Sequence, residues 1–253
     1  LSNTPKNKIL LLVTEGQTTN LLFHSFAGLP FDLTVFIEKP ISKKMILKNR
    51  IRKIGFLKTA GQVLFLILVY PFISSRKNRI QEILRKYNFK NHPIPTSVCK
   101  TFHSINDPAV VQEIIAYAPD LICVNGTRII SKKTLEQLTC PIVNLHIGIT
   151  PKYRGIHGGY WAIFNKEPHL FGVTLHYVDS GIDTGKIIAQ KTIPFKPNDN
   201  FKTYPILQYA AGIELLHSNL QAILENNTSP PNPLTSESNL YHHPTLVNYL
   251  FGR

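Results

Sequence analysis

Asn144 and His146 stand two residues apart in the stretch Pro141-Ile-Val-Asn-Leu-His-Ile-Gly-Ile-Thr-Pro-Lys-Tyr-Arg-Gly155, and Asp183 follows 39 positions after the asparagine. An amide, an imidazole and a carboxylate brought together can move protons and stabilise an oxyanion developing on a carbonyl group. An unperturbed imidazole titrates near ~6.5, which suits proton transfer close to neutral pH. Taken alone, the Asn144–His146 pair also fits a hydrogen-bonded core pair that closes a strand. Asp183 shifts the balance towards chemistry, because a loop carboxylate can hold an imidazole in one tautomer or position a proton-relaying water. Asp179, earlier in the same Asp179-Ser-Gly-Ile-Asp-Thr-Gly185 loop, competes for that role, and spacing does not choose between them.

The flanking sequence supplies elements that would position these groups. Pro141 to Leu145 reads as a strand, so side chains at 144 and 146 share one side. Both sit at its carboxyl end, where open α/β sheets place ligands. Lys8 to Thr14, Leu33 to Glu38 and Pro119 to Asn125 are further apolar strands, while Phe171 to Val178 and Lys186 to Ile193 bracket the Asp183 loop. Glu15 to Asn20 reads as a polar turn and Leu21 to Phe26 as the start of a helix. Asp107-Pro108 opens a helix to about Tyr117, Ser131 caps a short one, Gly158 to Phe164 forms another, and Tyr204 to Leu224 has a helical apolar rhythm. This alternation predicts an α/β chain built on a parallel sheet. Asn226 to Asn239 reads as an exposed loop, and Tyr241 to Phe251 as an aromatic tail that docks back.

Twenty-eight Lys and Arg against 15 Asp and Glu give a formal charge of +13, which points to anionic partners. The basic residues form no nucleic-acid motif, so no specific nucleic-acid partner is expected. Cys99, Cys123 and Cys140 form no CxxC pair, and His146, His157, His176 and Asp183 lack zinc-site spacing, so no metal is expected. With no secretion-signal pattern at the start, a cytoplasmic location is expected.

Residues 41–90 are basic and helical in pattern, an insertion between sheet elements. Within them, Thr59 to Ser74 is an apolar run too short for a membrane span and broken by Pro71. It reads first as a buried helix packed on the sheet. The alternative is an interfacial helix on an anionic membrane, giving a peripheral membrane contact through 54–75.

Asn144-Leu-His146, Pro151-Lys-Tyr-Arg-Gly155, Gly172-Val-Thr-Leu-His176 and Asp183-Thr-Gly185, in this order and separation, resemble the folate-dependent formyltransferases. The resemblance spans roughly residues 8–38 and 93–195. It implies a Rossmann-like catalytic domain over 1–195, a mostly parallel sheet with helices on both faces that carries the 41–90 insertion, followed by a helix, a loop and a docking tail over 196–253. It assigns the catalytic roles to Asn144, His146 and Asp183, placing Asp183 ahead of Asp179. Where family members have Asn-x-His-Pro, this chain has Ile147. The implied formyl donor is 10-formyltetrahydrofolate, held by Asn125, Gly126, Thr127, Arg128, Ile129 and Ile130 on one side and by Val178, Asp179, Ser180 and Gly181 on the other.

The implied acceptor is a small-molecule primary amine, phosphorylated or nucleotide-linked. A nucleotide-linked amino sugar is placed first and glycinamide ribonucleotide second. Gly16, Thr19 and Asn20, at the start of the first helix, would meet a phosphate, and Tyr153 and Arg154 would meet the acceptor. The oligomeric state is left open by the sequence, a dimer being one option. With 58 residues after Phe195, methionyl-tRNA ranks below these acceptors. Formyl-folate hydrolysis and a non-catalytic anion- or membrane-binding protein on the same fold are the rival functions.

Overall fold

The computed structural model describes residues 6–251. Its centre is a seven-stranded sheet in which β1 (Lys8–Val13), β2 (Asp32–Glu38), β3 (Cys99–Phe102), β4 (Leu121–Asn125) and β5 (Ile142–His146) run parallel. Two further strands pair antiparallel beyond β5, in the order β3-β2-β1-β4-β5-β7-β8. These are β7 (Gly172–Tyr177) and β8 (Ile187–Thr192), and the short β6 (Arg154–Gly155) lies apart from the sheet.

Strand alternation sorts the core onto two faces. Ile9, Leu11 and Val13 of β1 join a cluster with Leu21 and Phe26 of α1 (Gln17–Phe26) and Ile213 and Leu216 of α8 (Tyr204–Leu224). Leu10 and Leu12 join a second cluster with Val110 and Ile114 of α5 (Pro108–Tyr117). Helices therefore cover both faces, as a parallel sheet requires. Strands, helix α5, the Ser131-capped α6 (Lys132–Leu135), α7 (Gly158–Phe164) and α8 fall where the periodicity places them.

Three expectations need correction. The segment expected as a turn over 15–20 is already helical from Gln17, so Thr19 and Asn20 lie in the first turn of α1. Strand β3 has no sequence signal: its four residues lie at a sheet edge, half of them exposed, and carry no apolar run. The apolar run of the insertion is also not a core helix. The insertion folds as α2 (Lys43–Ile54), α3 (Phe56–Leu68) and α4 (Lys77–Lys86), and of α3 only Thr59, Gln62 and Phe65 are buried.

The tail docks back through β9 (Leu240–Tyr241), which pairs with β6, and α9 (Leu246–Phe251), which packs on α3. Trp161 Nε1 donates to His242 O at 2.9 Å, and the rings of His157 and His243 share a hydrogen bond of 2.9 Å. Burial pushes both imidazoles down, His157 to about 3 and His243 to about 4, with nearby positive charge adding to it.

That coupling predicts a pH dependence. Both folded-state values lie below the ordinary value of ~6.5, so below that pH the unfolded chain binds protons that the folded chain refuses, and stability falls with pH. Two such groups give on the order of 2 kcal/mol per pH unit between ~6.5 and ~4. Urea unfolding is expected to show a loss of about 3 kcal/mol from pH ~6.5 to ~5. The variant His243→Asn should flatten the slope, and an unchanged slope would contradict the assignment.

Candidate active site

Asn144 and His146 end β5, and β7 lies antiparallel beside them with Asn144 opposite His176 and His146 opposite Thr174. The loop after β7 brings Asp183 back over the strand end. Asp183 has a left-handed backbone, φ 50°, and its carboxylate is the centre of the cluster. Oδ2 accepts from the Gly155 backbone N–H at 2.8 Å and lies 3.3 Å from His146 Nδ1. Oδ1 accepts from Asn144 Nδ2 at 3.3 Å and lies 3.5 Å from His176 Nε2. Arg154 Nη1 donates to Ile182 O at 3.2 Å, fastening the loop from the other side.

His146 is 4% exposed, and its Nε2 lies 2.6 Å from the carbonyl oxygen of Tyr153. A carbonyl only accepts, so Nε2 carries the proton and Nδ1 is the nitrogen that faces Asp183. Burial lowers the imidazole's pKa, with Asp183 and the Tyr153 carbonyl opposing that shift, so the neutral ring is the form present near neutral pH. Burial alone would raise the pKa of Asp183. The charge of His146, the hydrogen bond from His176 and the Gly155 N–H outweigh it and hold the carboxyl at about 2.

Two glycines permit this approach. A Cβ on Gly148 would sit 2.5 Å from Tyr153 O and 2.7 Å from His146 Nε2, inside the hydrogen bond that fixes the tautomer. Gly155 has φ +92°, and a Cβ there would run into Tyr241 O across the β6–β9 pair.

A cleft of about 320 Å³ opens in front of the cluster. Asn125, Gly126, Thr127, Arg128, Ile129 and Ile130 line one side, and Val178, Asp179, Gly181 and Asp183 the other, with Asn144, His146 and His176 at its floor. Ser180 belongs to the same loop but does not line the cleft. Asp179 is a loop staple: its carboxylate accepts from Gly181 N at 3.0 Å and from Thr184 Oγ1 at 2.8 and 2.9 Å.

The 125–130 wall is held from behind. Buried Glu38 accepts from Arg128 N at 2.7 Å and Ile105 N at 2.8 Å, and pairs with the Arg128 guanidinium at 2.8 Å. Asn106 donates to Ile129 O at 3.0 Å and accepts from Ser131 N at 2.8 Å. Sequence reasoning missed both residues. Glu38 offered one signal, a carboxylate ending an otherwise apolar strand.

Other expected ligand contacts fall elsewhere. Thr19 is buried, its hydroxyl donating to Thr14 O at 2.6 Å and accepting from Asn125 Nδ2 at 2.9 Å, so it locks α1 to β4 and its hydroxyl is engaged within the protein. Gly16 is open to solvent side contacts and Asn20 is half-buried; neither lines the cleft. Tyr153 is fully buried, stacked on Tyr241 with its hydroxyl bonded to Glu167, so its ring has no free face for an acceptor. Arg154 stands beside the Asp183 loop with its Nε buried and without a hydrogen-bond partner.

Comparison with known proteins agrees with this geometry. The chain is 34% identical over 132 residues to methionyl-tRNA formyltransferase of Syntrophus aciditrophicus (strain SB), a stretch covering 51% of this chain and 41% of that protein. The chain thus spans about two fifths of the length of this curated relative. Its fold is similar to that of a 4-N formyltransferase from Francisella tularensis, with TM-score 0.57 and 20% identity over 92% of this chain and 76% of the other. It is equally similar to glycinamide ribonucleotide transformylase 1 from Symbiobacterium toebii, with TM-score 0.57 and 17% identity over 90% of this chain and 92% of the other. The family model described as "Formyl transferase" matches residues 71–207, more than half of the chain and all of the Asn144–His146–Asp183 cluster, and the chain belongs to the formyl transferase family.

Proposed function

We propose that this protein transfers a formyl group from 10-formyltetrahydrofolate to a primary amine on an anionic small molecule, most consistently a nucleotide-linked amino sugar. The observation that carries the reaction is the convergence of Asn144, His146 and Asp183 on the floor of a single cleft. The cleft suits the donor. Ile129, Ile147, Val178 and Ile182 provide apolar walls, and the 125–130 backbone provides a hydrogen-bonding edge, a pairing that fits a flat heteroaromatic ring.

The residues divide the work as follows. Asn144 Nδ2 donates a hydrogen bond to the oxygen that gains negative charge as the amine attacks the formyl carbon. His146, neutral near pH 7 with Nε2–H fixed on Tyr153 O, has Nδ1 left to take the proton that the amine loses. Asp183, ionised and adjacent, stabilises the imidazolium and so favours that transfer. The proton then passes to the nitrogen that leaves the formyl group.

Support for an anionic acceptor comes from a second cavity of about 230 Å³ beside the first. It lies between α2 and the tail, lined by Arg50, Lys53, Gln62, Ile156, His242 and His243 among others. Ile156 follows Gly155, whose amide binds Asp183, so the cavity adjoins the cluster. No carboxylate lines it, and burial lowers the Arg50 pKa. Uncompensated positive charge beside the reacting centre suits a phosphate or diphosphate.

The test is a turnover screen with 10-formyltetrahydrofolate across nucleotide-linked amino sugars, glycinamide ribonucleotide and methionyl-tRNA. The highest kcat/KM is expected with a nucleotide-linked amino sugar and should fall in Arg50→Ala. Selective turnover of methionyl-tRNA would reassign the acceptor. The donor slot has its own prediction. Glu38→Gln places an amide N–H against the Arg128 and Ile105 donors, at a cost of about 1–3 kcal/mol. Initial rates at varied donor are expected to show KM raised about fivefold or more with kcat little changed, because the slot is loosened and the cluster is not.

A further inference from the structure

Helix α3 sits in the fold with its faces reversed. Its buried side is polar and aromatic: Thr59 Oγ1 donates to Gly55 O at 2.7 Å, Gln62 Nε2 to His243 O at 2.8 Å, and Phe65 packs edge-on against Phe201 at 5.3 Å. Its aliphatic side faces outward. Leu57, Leu64, Ile67 and Leu68 recur at i, i+7, i+10 and i+11, one stripe of a helix, with Leu57 84% and Ile67 62% exposed. Phe72, just beyond the helix, is 85% exposed. Helices α2 and α9 both pack on α3 and add Met45, Leu47, Ile51, Val247, Leu250 and Phe251 to the exposed apolar side chains. Scattered exposed leucines need no explanation, but a run of them along one helix and its two neighbours does.

Charge identifies what covers this surface. Residues 41–73 contain seven Lys and Arg and no Asp or Glu. Lys43, Lys44, Lys48, Arg52 and Lys58 are all exposed, and no salt bridge engages them among the described residues. A second copy of this chain would set like charges face to face. A nucleic acid would leave the aliphatic stripe without a partner, since its surface is phosphate, sugar and base edge. An anionic bilayer surface satisfies both features, with headgroup charge for the lysines and the upper acyl region for the leucines.

The geometry is that of a helix lying in the interface. At 13 residues α3 is about 20 Å long, short of the ~30 Å hydrocarbon core. No single helix among the described residues is long and apolar enough to cross a membrane. The bend of 87° between Phe56–Phe72 and α4 turns the chain back to the protein, where Arg79 is held by Asp199.

We propose that the α2–α3–α9 surface docks this protein peripherally on an anionic lipid bilayer, with Leu57, Ile67 and Phe72 entering the interface and Lys43, Lys44, Lys48 and Lys58 meeting the headgroups. Docking needs none of the residues assigned to formyl transfer, so it stands or falls separately from that function.

Vesicle co-sedimentation of the full chain tests it. Strong binding is expected to vesicles containing phosphatidylglycerol, with binding to phosphatidylcholine alone weaker by roughly tenfold or more. The variant K44E/K48E/K58E should lose anionic-vesicle binding by more than roughly tenfold, at about 1 kcal/mol per basic residue near the surface. The variant L57Q/I67Q/F72Q, with its surface glutamines suited to a helix, should release from the vesicles while its thermal melt stays unchanged. Absence of binding to phosphatidylglycerol vesicles would overturn the proposal. So would a dimer in sedimentation velocity that L57Q/I67Q/F72Q dissolves while vesicle binding persists, or retention on an oligonucleotide in place of vesicles.

Discussion

Asp183→Asn is expected to lower kcat by about 10²–10⁴-fold, the span that a positioned acid–base group contributes. The substituted amide would no longer stabilise a proton on His146 Nδ1, 3.3 Å away, and would present either a neutral oxygen or a competing donor to it. Asn144 would lose its charged acceptor in the same change, so the loss is expected to include mispositioning of the oxyanion donor. His146→Ala should fall within the same range, and D183N/H146A little below either single variant, since residues acting as one unit do not add.

Stability must be measured beside rate. A carboxyl held at about 2 in the fold, against ~3.9 unfolded, contributes stability present above ~3.9 and lost as pH falls towards 2; the full effect is roughly 2–3 kcal/mol. D183N should therefore also melt at a lower temperature, so its kcat is compared at a temperature where both proteins are folded. Asp179→Asn is the control. Its carboxylate only staples the 179–184 loop, so kcat should stay within about tenfold of the parent. Equal losses in D179N and H146A, with D183N active, would reverse the two aspartates.

The second large effect concerns the insertion. Asp199→Ala is expected to destabilise the fold by about 3–5 kcal/mol in urea unfolding, because it strands a buried cation. Arg79 donates to both oxygens of Asp199, at 2.8 and 2.9 Å, and the Asp199 side chain is fully buried. Asp199 also accepts from Lys196 N at 2.8 Å and Thr203 Oγ1 at 3.0 Å, so the pair joins α4 to the turn that starts α8. Hydrogen bonding to Asp199 raises the Arg79 pKa despite burial. Burial pushes Asp199 up, but Arg79 and the surrounding donors bring its pKa down. Replacing the pair with apolar residues, R79M/D199L, should cost less than D199A, since it leaves no uncompensated charge. A D199A loss below about 1 kcal/mol would show that the pair is solvated and does not lock the insertion.

The centre of the sheet is legible in the sequence because β1 and β4 are aliphatic runs and several helices carry their own start signals, Asp107-Pro108 and Ser131 among them. The pairing of Asn144 with His146 followed from strand alternation alone. The meeting with Asp183 did not, because it depends on a left-handed residue and on Gly155 approaching from another segment. Tyr153 and Thr19 looked like ligand contacts because aromatic and hydroxyl groups near glycines often are. Burial decides otherwise, and burial at these positions is set by Glu167, Tyr241 and Asn125, all distant in the chain or unmarked by motif. Helix α3 shows the same limit in reverse. Its apolar content argues for the core, but the face that packs is Thr59, Gln62 and Phe65, chosen by the tail that lies against it.

The most direct measurement is formyl transfer itself. The purified chain is incubated with 10-formyltetrahydrofolate carrying a labelled formyl group, with and without a nucleotide-linked amino sugar, and tetrahydrofolate, formylated amine and formate are quantified together. Equal amounts of tetrahydrofolate and formylated amine are expected, with formate near background and loss of both products in H146A. Labelled formate released equally with and without the amine, or turnover unchanged in H146A, would contradict it.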